Sequence, residues 1–124
     1  MRAAVLIAIF VILGTITAKA GEQKLSGTEI IEALSGKTAF GTQKGTPWKQ
    51  FFDPNGATTF ISGDDAPSTG RWQIQGDAFC SLWPPSGDWD CYDMTGAGDQ
   101  VTWIYQGGGD PWPAKMVDGN QLQN

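Results

Sequence analysis

Turn signals recur along most of this chain at intervals too short for helices and right for strands. Asp53-Pro54-Asn55-Gly56 is a turn of the Pro-second, Gly-last kind, Gly76-Asp77 suits a two-residue hairpin, and Gly96-Ala97-Gly98 closes another. Between them the residues are β-branched and aromatic, and strands are predicted over 37–42, 48–52, 57–62, 71–75, 78–83, 90–94 and 100–105. Connections this short make neighbouring strands antiparallel. The expected fold is α+β and mostly β: an antiparallel meander of about seven strands, curled into an open barrel or a strongly twisted sheet. Longer loops fall at 63–70 and 107–113, and the tail from Ala114 is expected to add an edge strand and fray.

One helix precedes the strands. Ser26-Gly27-Thr28-Glu29 matches a capping box, in which the Ser26 hydroxyl accepts from the Glu29 amide while the Glu29 carboxylate accepts from that of Ser26. Leu25 and Ile30 are placed for a hydrophobic staple, and Ile30, Ile31, Ala33 and Leu34 line one side. Gly36 supplies a left-handed stop, so the helix is predicted over 27–35. About nine residues is too short to be stable alone, and the apolar side must dock on a face or end of the sheet.

Cys80 and Cys91 are the only cysteines. If they face each other in one hairpin, Leu82 faces Trp89, Trp83 faces Asp88, and 84–87 remain as the loop. A disulfide there is sterically natural and contributes roughly 2 to 3 kcal/mol through its short closed loop. In this register Ile74, Phe79 and Tyr92 share one face, while Gln73, Cys80, Leu82 and Trp89 share the other. Either the helix covers the second face through Ile30, Ile31 and Leu34, the favoured arrangement, or that face is an exposed apolar patch.

The N-terminus reads as an export signal. Met1 and Arg2 give a short positive end, 3–13 are apolar, Gly14 breaks the run, and Ala18-Lys19-Ala20 is a small-x-small cleavage site with Gly21 as first mature residue. The run is too short for the roughly 20 apolar residues of a membrane helix, and no cysteine follows the site to take a lipid. The division is thus 1–20 signal peptide and 21–124 a single exported domain, periplasmic or secreted, where a disulfide is at home. Losing Arg2 and Lys19 takes the formal charge from −5 to about −7, which argues against nucleic acid or an anionic membrane surface as partner.

Histidine is absent, which removes the usual general base of Ser-His and Cys-His enzymes and the commonest haem and copper ligand. Two cysteines without histidine make a poor zinc site, and no Asp-x-Asp-x-Asp-Gly calcium loop is present. Asp64, Asp65, Asp88, Asp90 and Asp93 sit in turn-like stretches and read as solvated acids rather than a glycosidase pair. No metal or cofactor is expected.

Six tryptophans remain to be placed. Trp72 and Trp103 alternate with apolar residues and read as core. Trp83, Trp89 and Trp112 lie beside prolines or in loop flanks, where they are core filler or flat rings for stacking on a sugar or apolar ligand. With Asp88 and Asp90, Trp83 and Trp89 put aromatics and carboxylates at one hairpin tip suited to a basic protein surface.

Leu25-Ser26-Gly27-x-Glu29-Ile30, Leu34-Ser35-Gly36-x-Thr38-x-x-Gly41, Phe52-Asp53-Pro54-Asn55-Gly56, Gly70-Arg71-Trp72, Phe79-Cys80-x-x-Trp83 and Cys91-Tyr92 together resemble the small exported proteobacterial proteins grouped as domain of unknown function 995. The resemblance implies export, a helix-plus-meander plan and paired cysteines, and no activity. Gly107-Gly108-Gly109 and Asp110-Pro111-Trp112-Pro113 lie outside it.

The functional expectation is a non-enzymatic binding or accessory domain with a protein or glycan partner in the cell envelope. An acidic inhibitor of a cationic envelope hydrolase is one concrete version. The alternatives are a structural or stress-related envelope protein without a discrete ligand site and, behind it, a small hydrolase. A closed apolar cavity would favour a small molecule, and a flat aromatic patch a protein or glycan.

Overall fold

The structure, a computed structural model, describes residues 23–123, so the expected signal peptide lies outside the described residues. The elements are β1 (Gln23–Lys24), α1 (Gly27–Leu34), β2 (Lys37–Gln43), β3 (Thr46–Phe52), β4 (Ala57–Ser62), β5 (Ser68–Gln75), β6 (Ala78–Leu82), β7 (Trp89–Ala97), β8 (Gln100–Tyr105) and β9 (Trp112–Asp118). Each strand from β2 onward pairs antiparallel with its successor, and β9 returns to β2, so the meander closes into an up-and-down barrel of eight strands. The two-residue β1 adds to β7 outside that ring.

Closure corrects the expectation of a fraying tail. Val117 pairs with Thr38 and Ala114 with Gly41 on one side of β9, and Ala114 with Val101 and Trp112 with Trp103 on the other. Alternation gives β9 an inward set of Trp112, Ala114 and Met116, and without this strand both β2 and β8 would present unpaired edges. Beyond β9 the chain stays fastened: the Thr38 hydroxyl donates to the Gly119 carbonyl at 2.7 Å and accepts from the Gln121 amide at 2.9 Å.

Several strands run longer than turn chemistry suggests, whereas β6 stops one residue short of the predicted 78–83 and leaves Trp83 outside the ladder. β3 starts at Thr46, β5 at Ser68, and β7 extends to Ala97. Pro47 and Pro113 sit in β3 and β9 close to where those strands begin, the place where a missing amide disturbs a ladder least.

The helix forms as its cap dictates, with Glu29 N to Ser26 Oγ at 3.2 Å and Ser26 N to Glu29 Oε1 at 3.0 Å. Its position differs from the favoured one. Ile30 and Leu34 are fully buried with Phe52, Trp72, Phe79 and Met94, all on the inside of the barrel, while Ile31 is 46% exposed. The Gly27 amide donates to Asp77 Oδ1 at 2.9 Å in the β5–β6 turn, and the Gly36 amide donates to the Phe52 carbonyl at 2.8 Å. So α1 closes the barrel end where β3, β5, β7 and β9 finish. The outer face of Leu82 and Trp89 stays half-buried, neither helix-covered core nor fully open patch. A barrel end offers Ile30 and Leu34 complete burial, each worth about 1.5 to 3 kcal/mol, and a convex outer wall does not.

The disulfide is where the register put it. Cys80 pairs with Cys91 across β6 and β7 with Cα atoms 4.1 Å apart, and Leu82 pairs with Trp89. Ile74, Phe79 and Tyr92 lie in one row across β5, β6 and β7.

Candidate binding site in the barrel lumen

An eight-stranded barrel has an interior just wide enough for side chains to fill or for one small ligand. In the half beneath α1 it is filled: Phe52 stacks on Trp103 at 5.7 Å and meets Trp72 and Phe79 edge-on, each at 5.8 Å. Among the described residues no helix reaches the other half, which opens between the β2–β3, β4–β5, β6–β7 and β8–β9 connections. There the lumen holds a cavity of about 150 Å³.

Its floor is Phe79 and Trp103, the rings that also cover Phe52 below. Trp48, Phe60, Trp83 and Trp112 make the walls, linked through Trp48–Phe60 and Trp48–Trp112 at 5.8 Å and Phe60–Trp83 at 6.2 Å. Tyr92 completes the ring, 6.0 Å from Phe79. Two glycines make room for the largest rings. A β-carbon at Gly41 would meet Trp48 ring carbons at 2.5 Å, and one at Gly70 would meet Trp83 Cε3 at 2.7 Å.

The polar lining is sparse. Gln50 donates Nε2 to Thr58 Oγ1 at 2.9 Å, and Ser81 Oγ accepts from Trp83 Nε1 at 3.1 Å. Trp48 Nε1 is buried with no hydrogen-bond partner among the described residues. None of the lining residues carries a charge at neutral pH. Burial first, then Asp90 and Tyr105 nearby, raise the Tyr92 phenol above its ordinary pKa of 10.0, which keeps it protonated.

The residues singled out in the sequence separate here. Trp83 and Trp112 line the cavity. Asp90 stands opposite Ser81 at the rim and accepts from the Tyr105 hydroxyl at 3.3 Å. Asp88 is exposed in the β6–β7 connection, where its amide donates to Ser86 Oγ at 3.2 Å. Trp89 faces outward opposite Leu82 and takes no part in the cavity. Sequence reasoning missed Trp48, Gln50, Phe60, Ser81 and Tyr92 as site residues. The signal that finds them is period-two alternation read around a closed ring, which makes Trp48 and Gln50 of β3 neighbours on the lumen side.

Chemically the cavity can hold and orient an apolar ring, but its lining offers no acid–base pair or nucleophile–base pair. Among the described residues no three of His, Cys, Asp and Glu cluster for a metal, and no helix is long and apolar enough to cross a membrane. The chain matches no family model, no curated protein and no solved structure in these comparisons.

Proposed function

We propose that this chain is an exported, non-enzymatic binding domain that holds a small, uncharged, largely apolar ligand in the open half of its barrel. The observation that carries this reading is the cavity of about 150 Å³, walled by aromatic rings and free of charged side chains. Concave, mostly apolar sites with a few polar groups are the ordinary form of small-molecule pockets. The disulfide supports an oxidising compartment.

The test is thermal denaturation of the domain from Gly21 onward with a panel of neutral single-ring and two-ring compounds. A ligand at 100 times its Kd stabilises by about 2.7 kcal/mol, a shift on the order of 10 °C in the Tm of a domain this size. Trp112→Ala, which opens one wall, should weaken every hit. A panel without a single shift, or hits indifferent to Trp112→Ala, would refute the lumen as the site. Export is tested by intact mass of the soluble protein, expected to begin at Gly21. A soluble species retaining residues 1–20 would count against it.

A second reading rests on the rim. Asp64, Asp65, Asp88 and Asp110 are exposed in the connections around the open end, against Lys44 alone there. Such a rim suits a cationic protein, as in inhibition of an envelope hydrolase. Association with a lysozyme that weakens with salt and with the Asp88→Asn, Asp110→Asn double variant would favour it over the lumen.

A further inference from the structure

The lumen shares two of its wall residues with a second hollow on the rim, and this extends the ligand, on the premise that the lumen is the binding site. We infer that the domain takes a neutral aryl glycoside, with its aromatic ring in the lumen and its sugar in the rim groove.

The groove, of about 400 Å³, is lined by Phe60, Ser68, Thr69, Trp83 and Pro84, all of them uncharged. Phe60 and Trp83 also wall the lumen, so their edge-on pair at 6.2 Å stands between the two hollows. Ser68 pairs with Phe60 where β5 begins, and Pro84 lies in the β6–β7 connection, which puts the groove at the open end of the barrel. A guest too long for the lumen has this groove beside it.

Trp83 makes the groove a stacking site. It lies beyond Leu82, the last β6 residue in the ladder with β7, yet its ring is held on three sides. Its Nε1 donates to Ser81 Oγ at 3.1 Å, the Phe60 ring meets it edge-on, and Gly70 gives it bare backbone to lie against. The residue is only half-buried, so a fixed indole borders solvent. A side chain already fixed loses little freedom on binding, and its flat apolar surface fits the C–H side of a pyranose. Ser68 and Thr69, exposed in the same groove, carry hydroxyls that can donate and accept, as the sugar's own hydroxyls do.

The surroundings decide which part of the ligand goes where. The lumen, with about 150 Å³ between aromatic walls, has the size that holds one benzene ring. The groove is bordered by exposed residues, so an apolar group there would bury little surface, whereas a sugar keeps water on its outer hydroxyls. An acidic sugar is disfavoured by Asp64, Asp65 and Asp88, exposed in the two connections that flank the groove.

The experiment titrates the domain from Gly21 onward, by calorimetry or NMR, with phenyl β-D-glucopyranoside, phenyl β-D-galactopyranoside and phenyl N-acetyl-β-D-glucosaminide. The two halves are titrated alongside, as anisole and as the methyl glycoside of each sugar. The tightest phenyl glycoside should bind at least about fivefold more tightly than anisole, and more tightly than its own methyl glycoside. The Ser68→Ala, Thr69→Val double variant changes only exposed side chains. It should weaken that phenyl glycoside by about fivefold and leave anisole unchanged.

Anisole binding as tightly as every phenyl glycoside overturns the glycoside inference and leaves the lumen reading standing. So does a double variant that weakens neither ligand. A methyl glycoside as tight as its phenyl counterpart overturns the inference and counts against the lumen too, since the ring then adds nothing. Binding by none of these compounds overturns the inference, and the wider panel of neutral rings then judges the lumen separately.

Discussion

A β-carbon on Gly41 would come within 2.5 Å of both Cε2 and Cζ2 of Trp48, its partner across the β2–β3 ladder. The indole therefore lies against bare backbone, and the same β-carbon would meet the Pro113 carbonyl at 2.7 Å on the β9 side. Neither neighbour is the free end of a flexible chain. Gly41→Ala should push the ring toward the cavity or part the ladder, costing about 1 to 3 kcal/mol as overpacking does. Denaturant unfolding measures it. An unchanged midpoint would mean that the ring has room the geometry denies it.

The outward and inward tryptophans should behave oppositely. Trp103 is 5% exposed and touches Phe52, Phe79 and Trp48, so Trp103→Ala should cost roughly 3 to 5 kcal/mol. Trp89 stands on the half-buried outer face opposite Leu82, and Trp89→Ala should cost well under half as much while leaving lumen binding intact. Comparable loss of Tm in the two variants would show that the outer face is core after all.

What was legible in the sequence was what is local. The Ser26–Glu29 cap and the Gly76-Asp77 and Cys80–Cys91 hairpin registers each involve residues close in the chain, where turn chemistry and alternation dictate the pairing. Closure was not legible. It depends on β9 meeting β2 across most of the described chain, and Pro111 and Pro113 beside Trp112 read as a loop. Alternation also says which residues share a face without saying which face is inside. The covering of one sheet face by the helix was expected on that account, whereas ring closure buries the face of Phe79 and Tyr92 and leaves the helix a barrel end. Trp83 and Trp112 were found because their flanking prolines marked them. Trp48 and Gln50 were hidden inside an ordinary strand.

The disulfide clamps one wall of the lumen without entering it: Cys80 and Cys91 lie on the outward side of β6 and β7, between rows that hold Phe79, Ser81 and Tyr92 inward. Replacing both cysteines by alanine should cost roughly 2 to 3 kcal/mol by loop-closure entropy. That corresponds to a fall in Tm of roughly 10 to 20 °C. Thiol labelling of the denatured, unreduced protein should find no reactive cysteine. Two labelled thiols, or a double variant as stable as the parent, would remove the bridge from the account of stability.

Tyr92 ties stability to alkaline pH. Burial, followed by Asp90 and Tyr105, raises its pKa in the folded state above the ordinary 10.0 that the unfolded chain shows. Below pH about 10 both states hold the phenolic proton, and the group gives stability no slope. Above it the unfolded chain releases that proton before the folded one does, so the unfolded state binds fewer protons and stability falls as pH rises toward the folded pKa. Tm should therefore decline from pH about 10 upward. Tyr92→Phe isolates the contribution, because the phenylalanine keeps the ring against Phe79 and has no proton to lose. The variant's Tm should fall less steeply over that interval than the parent's. Parallel curves would show that the Tyr92 hydroxyl is solvated well enough to ionise in the folded barrel, and the cavity would then be wetter at Tyr92 than its lining suggests.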